Sequence, residues 1–541
     1  MLTYFVIIPV LLGIFLYLFS TANVSRAIAI FAQIALVGFS FYLFLQTQTE
    51  DVITLVGGYH GAMGVVLRAD TLSSVFILLT VVMFLIAVIY SFTQENGKFF
   101  WLLMFLWQSA LIGIFLTRDL FNVFVLIEVV TLVVAILIMF NRDNRSMYDG
   151  IIYLMVNIVA IKFYLLGVGY VYMLTGVLDM DIAARVLAEN HPPRAQILPY
   201  ALIMTTIALK CALLPLFSWL PKAHGTPGAP PAVSALLSGV HIKSGVYLFI
   251  RFQSMFEAVT ATEFFLVLGI ITGIAGFILA MSQSDIKLIL AYHTVSQVGL
   301  IMTGLNMPSL ISQTGALYHV FNHAFFKGGL FLSAGLIIKA YGTRDVYKIR
   351  GIMRRYPLLG ISTIMAILGI TGAPLFNGMI SKYFISYGAD WFLNSILIFM
   401  SLGTIVSFVK YSTMLFDKSM FVFSRNTDTS NQSDFHQPPI DLHKQLAVFT
   451  LGVMCFIGGI FGGQFIYFLF GVQTQVDFYG YLQKAGIFAA SLVAGYFIYK
   501  HFVSTSTFIK KVKAVDLDFR SICISIAGVL AVILVASYSL M

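Results

Sequence analysis

Apolar runs, separated by short polar or glycine- and proline-containing stretches, follow one another along almost the whole chain. A helix needs about 20 mostly apolar residues to cross roughly 30 Å of hydrocarbon, and roughly 16 runs qualify. They begin near Met1, Ser25, Thr71, Phe99, Leu120, Gly150, Ile197, Gly239, Glu263, Lys287, Leu310, Pro357, Trp391, Gln445, Phe478 and Ser521. The pattern predicts an all-α polytopic membrane protein of about 14–16 transmembrane helices. Between the second and third runs, Gln46 to Asp70 forms a loop whose Gly57, Gly58 and Gly61 allow a short hairpin. Met180 to Asn190 (MDIAARVLAEN) alternates at helical spacing before His191-Pro192-Pro193, as an amphipathic helix on the membrane surface would.

Two runs are interrupted. The seventh carries Lys210, then Pro215 and the loop LPKAHGTPGAPP. The twelfth reads ILGITGAPLFNGMISKYFI, with Pro374, Gly378 and Lys382. Broken helices are tolerated at membrane depth only where the freed backbone is buried in protein or lines a hydrated cavity. Paired interruptions, here about 170 residues apart, mark an internal repeat with an ion site at the break.

Composition and charge narrow the class. The chain is 59% hydrophobic and 10% charged, with a mean hydropathy of +0.93, far outside the soluble range. The net charge of +9 resides largely in loops after odd-numbered helices: Arg142 and Arg145; Lys339, Arg344, Lys348, Arg350, Arg354 and Arg355; Lys510, Lys511, Lys513 and Arg520. That is the positive-inside bias of a membrane protein, not a nucleic-acid footprint. It predicts both termini on the non-cytoplasmic side. Met1 to Ser20 has no basic leader and no small-residue cleavage site, so it reads as a retained first span. Cys211, Cys455 and Cys523 form no CxxC or CxxH pattern, which argues against a metal, iron–sulfur or disulfide site. No nucleotide, quinone or flavin motif is present, so no cofactor is expected, and the chain reads as a transporter subunit without redox chemistry of its own.

Ionisable residues within apolar runs are costly, about 2.5–3.5 kcal/mol each at mid-bilayer, and are functional candidates by default. Glu128 lies in LFNVFVLIEVVTLVVAIL with no basic residue within one turn, so its partner must come from another helix. Lys210, far from either end of its run, and Lys243 are the natural partners; Lys243, close to the expected start of its helix, could instead snorkel to the interface. Lys162 reads either as a relay member or as a snorkelling lysine. Lys222 and His224 are expected to face water at the helix exit. His293, a candidate member of the proton path between Lys243 and Lys382, lies in the tenth run, and His319, His323 and Lys327 share one face of the eleventh at i, i+4 and i+8. A metal on that face is disfavoured, because no carboxylate accompanies the histidines and Lys327 would repel a cation. A satisfied core pair is the plain alternative. A proton relay accounts better for three protonatable groups in a row.

The stretches RDLFNVFVLIEVV, LKCALLPLFSWLPKAHGTPGAPPAVSALLSGVHIKSGVYLFIRF, SDIKLILAYHTVSQVGL, ALYHVFNHAFFKGGLFL and GAPLFNGMISKYF resemble the antiporter-like subunits shared by Mrp-type cation/proton antiporters, respiratory complex I and membrane-bound hydrogenases. The resemblance spans residues 65–415 approximately, and AYHTVSQVG and FNHAFFK are most similar to the Mrp D-type subunit. It implies a fourteen-helix core with two inverted five-helix repeats, and hence a division into residues 1–98, 99–257, 258–415 and 416–541. It also implies a proton path through Glu128, Lys210, Lys243 and Lys382, with His319, His323 and Lys327 on the family's eleventh-helix motif. Lys222 departs from the family's common LPDAH-like pattern, and the C-terminal helix pair with the basic linker Lys500 to Arg520 exceeds the core.

The function this implies is a proton-translocating subunit of a multisubunit Na⁺ or K⁺/H⁺ antiporter in the cell membrane, working with other membrane subunits. The alternatives are a proton-pumping subunit of a complex I-like or hydrogenase complex, and a structural scaffold.

Overall fold

All sixteen predicted runs are helical in the computed structural model, which describes every residue except 20–21, 60–63, 94–96, 417–439, 505, 507–511, 513–516 and 540–541. Gly61, Lys510, Lys511 and Lys513 of the sequence reading lie outside the described residues. The first six spans are Leu2–Phe19, Ala22–Gln46, Thr71–Ser91, Gly97–Leu116, Leu120–Ile138 and Asn144–Thr175. The seventh is broken into Pro193–Lys210 and Trp219–Gly225. The eighth to eleventh are Pro231–Met255, Thr262–Ser282, Ile286–Leu305 and Leu310–Tyr341. The twelfth is broken into Pro357–Thr371 and Asn377–Ile385. Trp391–Ser412, Leu442–Ile460, Phe478–Val503 and Phe519–Ser539 complete the set. Among the described residues, 14 helices are individually long and apolar enough to cross a membrane, and the two broken spans bring the total to the predicted sixteen. The chain is a multi-pass membrane protein.

Several of its few acidic residues serve as helix caps. The side chains of Asp119, Asp143, Asp179, Asp285, Asp390 and Asp477 each accept a backbone N–H at the start of a helix, where donors lack partners and the helix dipole favours negative charge. These aspartates mark helix starts, and among the described residues the lysines inside the bundle have no matching set of carboxylates.

The backbone repeats itself. Leu120 N–H donates to the Leu178 carbonyl (2.9 Å) and Met180 N–H to the Arg118 carbonyl (2.7 Å); Ile286 N–H donates to Arg344 and Val346 N–H to Ser284, both at 2.9 Å. Each member of the second set lies 166 residues after its counterpart (286 against 120, 344 against 178). The sixth and eleventh spans are both 32 residues long and end on left-handed glycines, Gly176 and Gly342. Because successive spans reverse direction, copies five spans apart sit on opposite sides of the membrane, the inverted arrangement of transporter repeats.

Both breaks show the same device. A non-glycine residue adopts positive φ, Ala212 at 51° and Leu375 at 70°, a sparsely populated conformation that surrounding contacts must enforce. A freed N–H is taken by a hydroxyl from another span: Leu214 by Thr272 (3.0 Å) and Leu375 by Tyr481 (2.9 Å). In the twelfth span a Cβ on Gly378 would collide with the Gly369 carbonyl oxygen, so only glycine lets the two halves pass this closely.

The eighth span begins at Pro231, well before the expected Gly239, because Pro231 starts a helix of small residues that an apolar-run criterion passes over. Lys243 is therefore in mid-helix. Lys210 is the last residue of the first half of its span, at the break itself and not deep in a continuous run.

The loop before the third span is the expected hairpin, β1 (Val52–Leu55) paired antiparallel with β2 (Val66–Ala69). Arg68 ties it to Asp51 (2.6 Å) and to Asp181 (2.7 Å) on the Met180–Asn190 helix, whose Met180, Ala183 and Leu187 are buried on one face. Beside it Asp70 receives Arg251 (2.6 Å) and Arg118 (2.7 Å). Burial alone would raise the Asp70 carboxyl, but Arg251 and then Arg118 outweigh it and hold the group well below the usual carboxylate range. A depressed folded-state value gives stability that is present above the ordinary carboxylate pKa and lost as pH falls through the depressed one. Asp70→Asn is expected to cost about 3 kcal/mol by leaving two largely buried guanidinium groups short of a partner. In thermal melts of the purified protein, the gap between wild type and variant should stay constant from about pH 7 to about pH 4 and narrow only below that.

Candidate functional site

Lys210, Lys243, His319, His323 and Lys327 are buried in the bundle interior, where neighbouring spans supply polar partners. Lys210, at the seventh-span break, donates to Asn157 Oδ1 (2.7 Å) and Thr131 Oγ1 (3.1 Å). Asn157 lies one turn beyond Tyr153, whose hydroxyl meets His241 Nε2 at 3.3 Å. Two residues on, Lys243 is wholly buried and donates to the Ser238 carbonyl and to His323 Nδ1. The backbone permits this locally: from Leu237 to His241 the helix widens to a π turn, with Ile242 N–H bonding the Leu237 carbonyl, a feature frequent at functional sites.

His323 and His319 follow on one face of the eleventh span, as their spacing predicts. His319 bonds Ser381 Oγ through Nδ1 (2.8 Å) and Gln297 Oε1 through Nε2 (3.1 Å). Ser381 precedes Lys382, whose ammonium caps the Ile370 and Thr371 carbonyls (3.0 and 3.1 Å) at the second break. Lys327, also wholly buried, donates to the Leu290 carbonyl. A row of polar and ionisable groups therefore runs from the first break to the second through Lys210, Asn157, His241, Lys243, His323, His319, Ser381 and Lys382. None of the ion pairs among the described residues involves Lys210, Lys243, Lys327 or Lys382. Their ammonium groups rest instead on neutral hydroxyl, amide, imidazole and backbone carbonyl acceptors.

Several residues depart from the sequence reading. Glu128 pairs with Lys162 (2.8 Å), not with Lys210 or Lys243, and Lys162 also lies 5.2 Å above the Phe124 ring. Lys162 is thus an ion-pair partner on an outward-facing flank, its side chain 55% exposed. Lys210 reaches the fifth span at Thr131, one turn from Glu128. Lys243 does not snorkel. His224 does not face water: it is wholly buried, stacked on Phe331 at 4.7 Å, with neither ring nitrogen hydrogen-bonded within the described residues. Lys222 is also buried and donates to the Leu517 carbonyl (2.8 Å). His293 packs on Phe408 at 4.7 Å, also without a hydrogen-bond partner among the described residues, and stands beside the row rather than in it.

Sequence reasoning missed Thr131, Asn157, His241, Gln297 and Ser381. His241 was within reach, since it interrupts an apolar run two residues from Lys243; the neutral residues carry no such signal, because single Ser, Thr and Asn residues are common in membrane helices.

The family described as "NADH:quinone oxidoreductase/Mrp antiporter, TM" matches residues 117–408. The D-type subunit of the Na(+)/H(+) antiporter of Alkalihalophilus pseudofirmus is 29% identical over 444 residues, covering 80% of this chain and 88% of the relative. The NADH-quinone oxidoreductase subunit N of Desulforudis audaxviator is 32% identical over 371 residues, covering 66% and 73%. In fold, the chain is similar to one chain of the Mrp complex from a Dietzia species, with a TM-score of 0.77 and 22% identity over 95% of this chain and 99% of that one.

Proposed function

The chain belongs to the NADH:quinone oxidoreductase/Mrp antiporter membrane family, and from that membership we propose that it moves protons within a multisubunit Mrp-type antiporter that exchanges Na⁺ or K⁺ for H⁺. It is an antiporter-like membrane subunit. Residues 99–257 and 258–415 act as the two inverted half-sites, flanked by residues 1–98 and 416–541. The complex resides in the cell membrane with both termini of this chain on the non-cytoplasmic side, as the basic loops favour.

One observation carries the reading: Lys243 donates to His323, and both are wholly buried. That bond links the eighth span of one repeat to the eleventh span of the other. Protons pass from Lys210 through Asn157, Tyr153 and His241 to Lys243, then along His323 and His319 to Lys382, with water filling the gaps and Lys327 biasing the charge of its neighbours. On the side of the basic loops, a cavity of about 320 Å³ bordered by Arg145, Asp149, Ser218, Lys222 and Arg344 reaches the first break and is roomy and polar enough for water.

Everted vesicles containing the complete complex are expected to show a Na⁺- or K⁺-dependent ΔpH that Glu128→Ala and Lys210→Ala abolish at unchanged protein level. Unaltered exchange in both variants would overturn the scheme. A redox-driven complex is the second reading, favoured by the similarity to a NADH-quinone oxidoreductase subunit. Proton flux that requires an electron donor and ignores Na⁺ and K⁺ would select it.

A further inference from the structure

The fifteenth span lies beyond both repeats, yet it meets the second break. Tyr481, Lys484, Phe488 and Ser491 share one face of it at i, i+3, i+7 and i+10. Tyr481 takes the N–H of Leu375. One turn further in, Lys484 Nζ donates to Asn394 Oδ1 of the thirteenth span at 2.9 Å. The two spans are in close contact, since a Cβ on Gly495 would stand 3.1 Å from Ile405.

Between these elements lies a cavity of about 70 Å³ lined by Lys382, Ser386, Asn394, Ser401, Lys484 and Ser491. A water needs roughly 10–15 Å³ by this measure, so several fit, and the lining supplies partners for them. The cavity is at the end of the twelfth span away from the basic loop Lys339 to Arg355. Lys484 is the lone charged residue between Phe478 and Ile498, in a helix whose Leu482, Leu492, Val493 and Phe497 are exposed. An ammonium in such a helix is costly unless it reaches water or a partner, and this cavity provides both.

Resting on the proposed proton path, we propose that this cavity is the aqueous outlet of Lys382 and that Lys484, supplied from outside the repeats, is the titratable group that accepts and releases the departing proton. Two ammonium groups sharing one cavity disfavour simultaneous protonation, so a proton arriving at Lys382 expels one from Lys484. The titratable groups lining the cavity are Lys382, Tyr383 and Lys484; the thirteenth span contributes Asn394 and Ser401, the tenth Leu300, and no carboxylate is among the lining residues.

Two measurements on the complete complex test this. With Cys523→Ser removing the one native thiol that is not buried, Ser491→Cys is expected to react with a cationic, membrane-impermeant methanethiosulfonate added from the non-cytoplasmic side, and Leu492→Cys to resist it. Failure of Ser491→Cys to react from that side overturns the outlet. In cation-dependent ΔpH assays, Lys484→Gln and Lys484→Arg are both expected to slow flux about tenfold or more, since arginine keeps its charge and cannot release the proton. Full rescue by Lys484→Arg would make Lys484 a mere tether for Asn394 and overturn the proposal. Lys382→Gln separates the two levels: its loss of flux beside wild-type rates in both Lys484 variants refutes the outlet alone, whereas wild-type flux in Lys382→Gln refutes the path and the outlet together.

Discussion

Lys243→Met is expected to lower cation-dependent proton flux by about 100-fold or more while leaving the protein as stable as before, or more so. Lys243 is wholly buried, and no ion pair among the described residues involves it; its ammonium rests on the Ser238 carbonyl and on His323 Nδ1. A buried charge without a counter-charge costs free energy that hydrogen bonds only partly offset. Methionine fills a similar volume with no charge to desolvate and can adapt to the π turn. The chemical effect runs the other way. Without Lys243, His323 has no hydrogen-bond partner on either ring nitrogen among the described residues, and the row is cut where its two halves join. A lysine kept for packing would lose stability and flux together on replacement; a relay lysine loses flux alone. Thermal melts of the purified variant beside ΔpH in vesicles separate these outcomes, and lowered stability with retained flux would exclude the relay role.

The location of such residues was legible because lipid leaves few choices. A run must be apolar and about 20 residues long to span, so all sixteen spans follow from composition alone, and Pro215, Pro374 and Gly378 mark the two breaks. Lys210, Lys243, Lys327 and Lys382 stand out because each interrupts an apolar run, whereas Arg251 and Lys339 sit near the ends of theirs. Which partner each one meets was not legible, since that depends on how each helix is rotated about its axis, a property of packing. Glu128 shows the difference. Lys162 and Lys210 were both available in sequence, and the sixth span turns Lys162 toward the carboxylate while Thr131 and Asn157 take the Lys210 ammonium. Likewise His224 looked like a loop residue beside Gly225 and Pro227, but the short helix Trp219–Gly225 folds back into the bundle and stacks it on Phe331.

The Glu128–Lys162 pair yields the second large effect. Glu128→Gln is expected to reduce flux about 10- to 100-fold, and the double replacement Glu128→Gln with Lys162→Gln to stay at that reduced level. The carboxylate sits one turn from Thr131, which holds Lys210 at 3.1 Å, close enough in a low-dielectric bundle for its charge to favour protonated Lys210. Lys162, bonded at 2.8 Å, competes for the same carboxylate. On the proposed path, closing that pair would neutralise Glu128 and free the proton of Lys210, and opening it would let Glu128 draw a proton onto Lys210. Loading therefore requires the carboxylate, and removing Lys162 as well cannot restore it. A pair that only clamps the fifth span to the sixth predicts the opposite, because neutralising both members leaves no unpaired charge in the membrane and the double variant should recover most of the flux. Lys162→Gln alone completes the cycle: it leaves Glu128 free to hold a proton on Lys210, so loading is retained and release slows. ΔpH measured for the four proteins at matched abundance decides between the two, and recovery in the double variant would reduce Glu128 to a structural anchor.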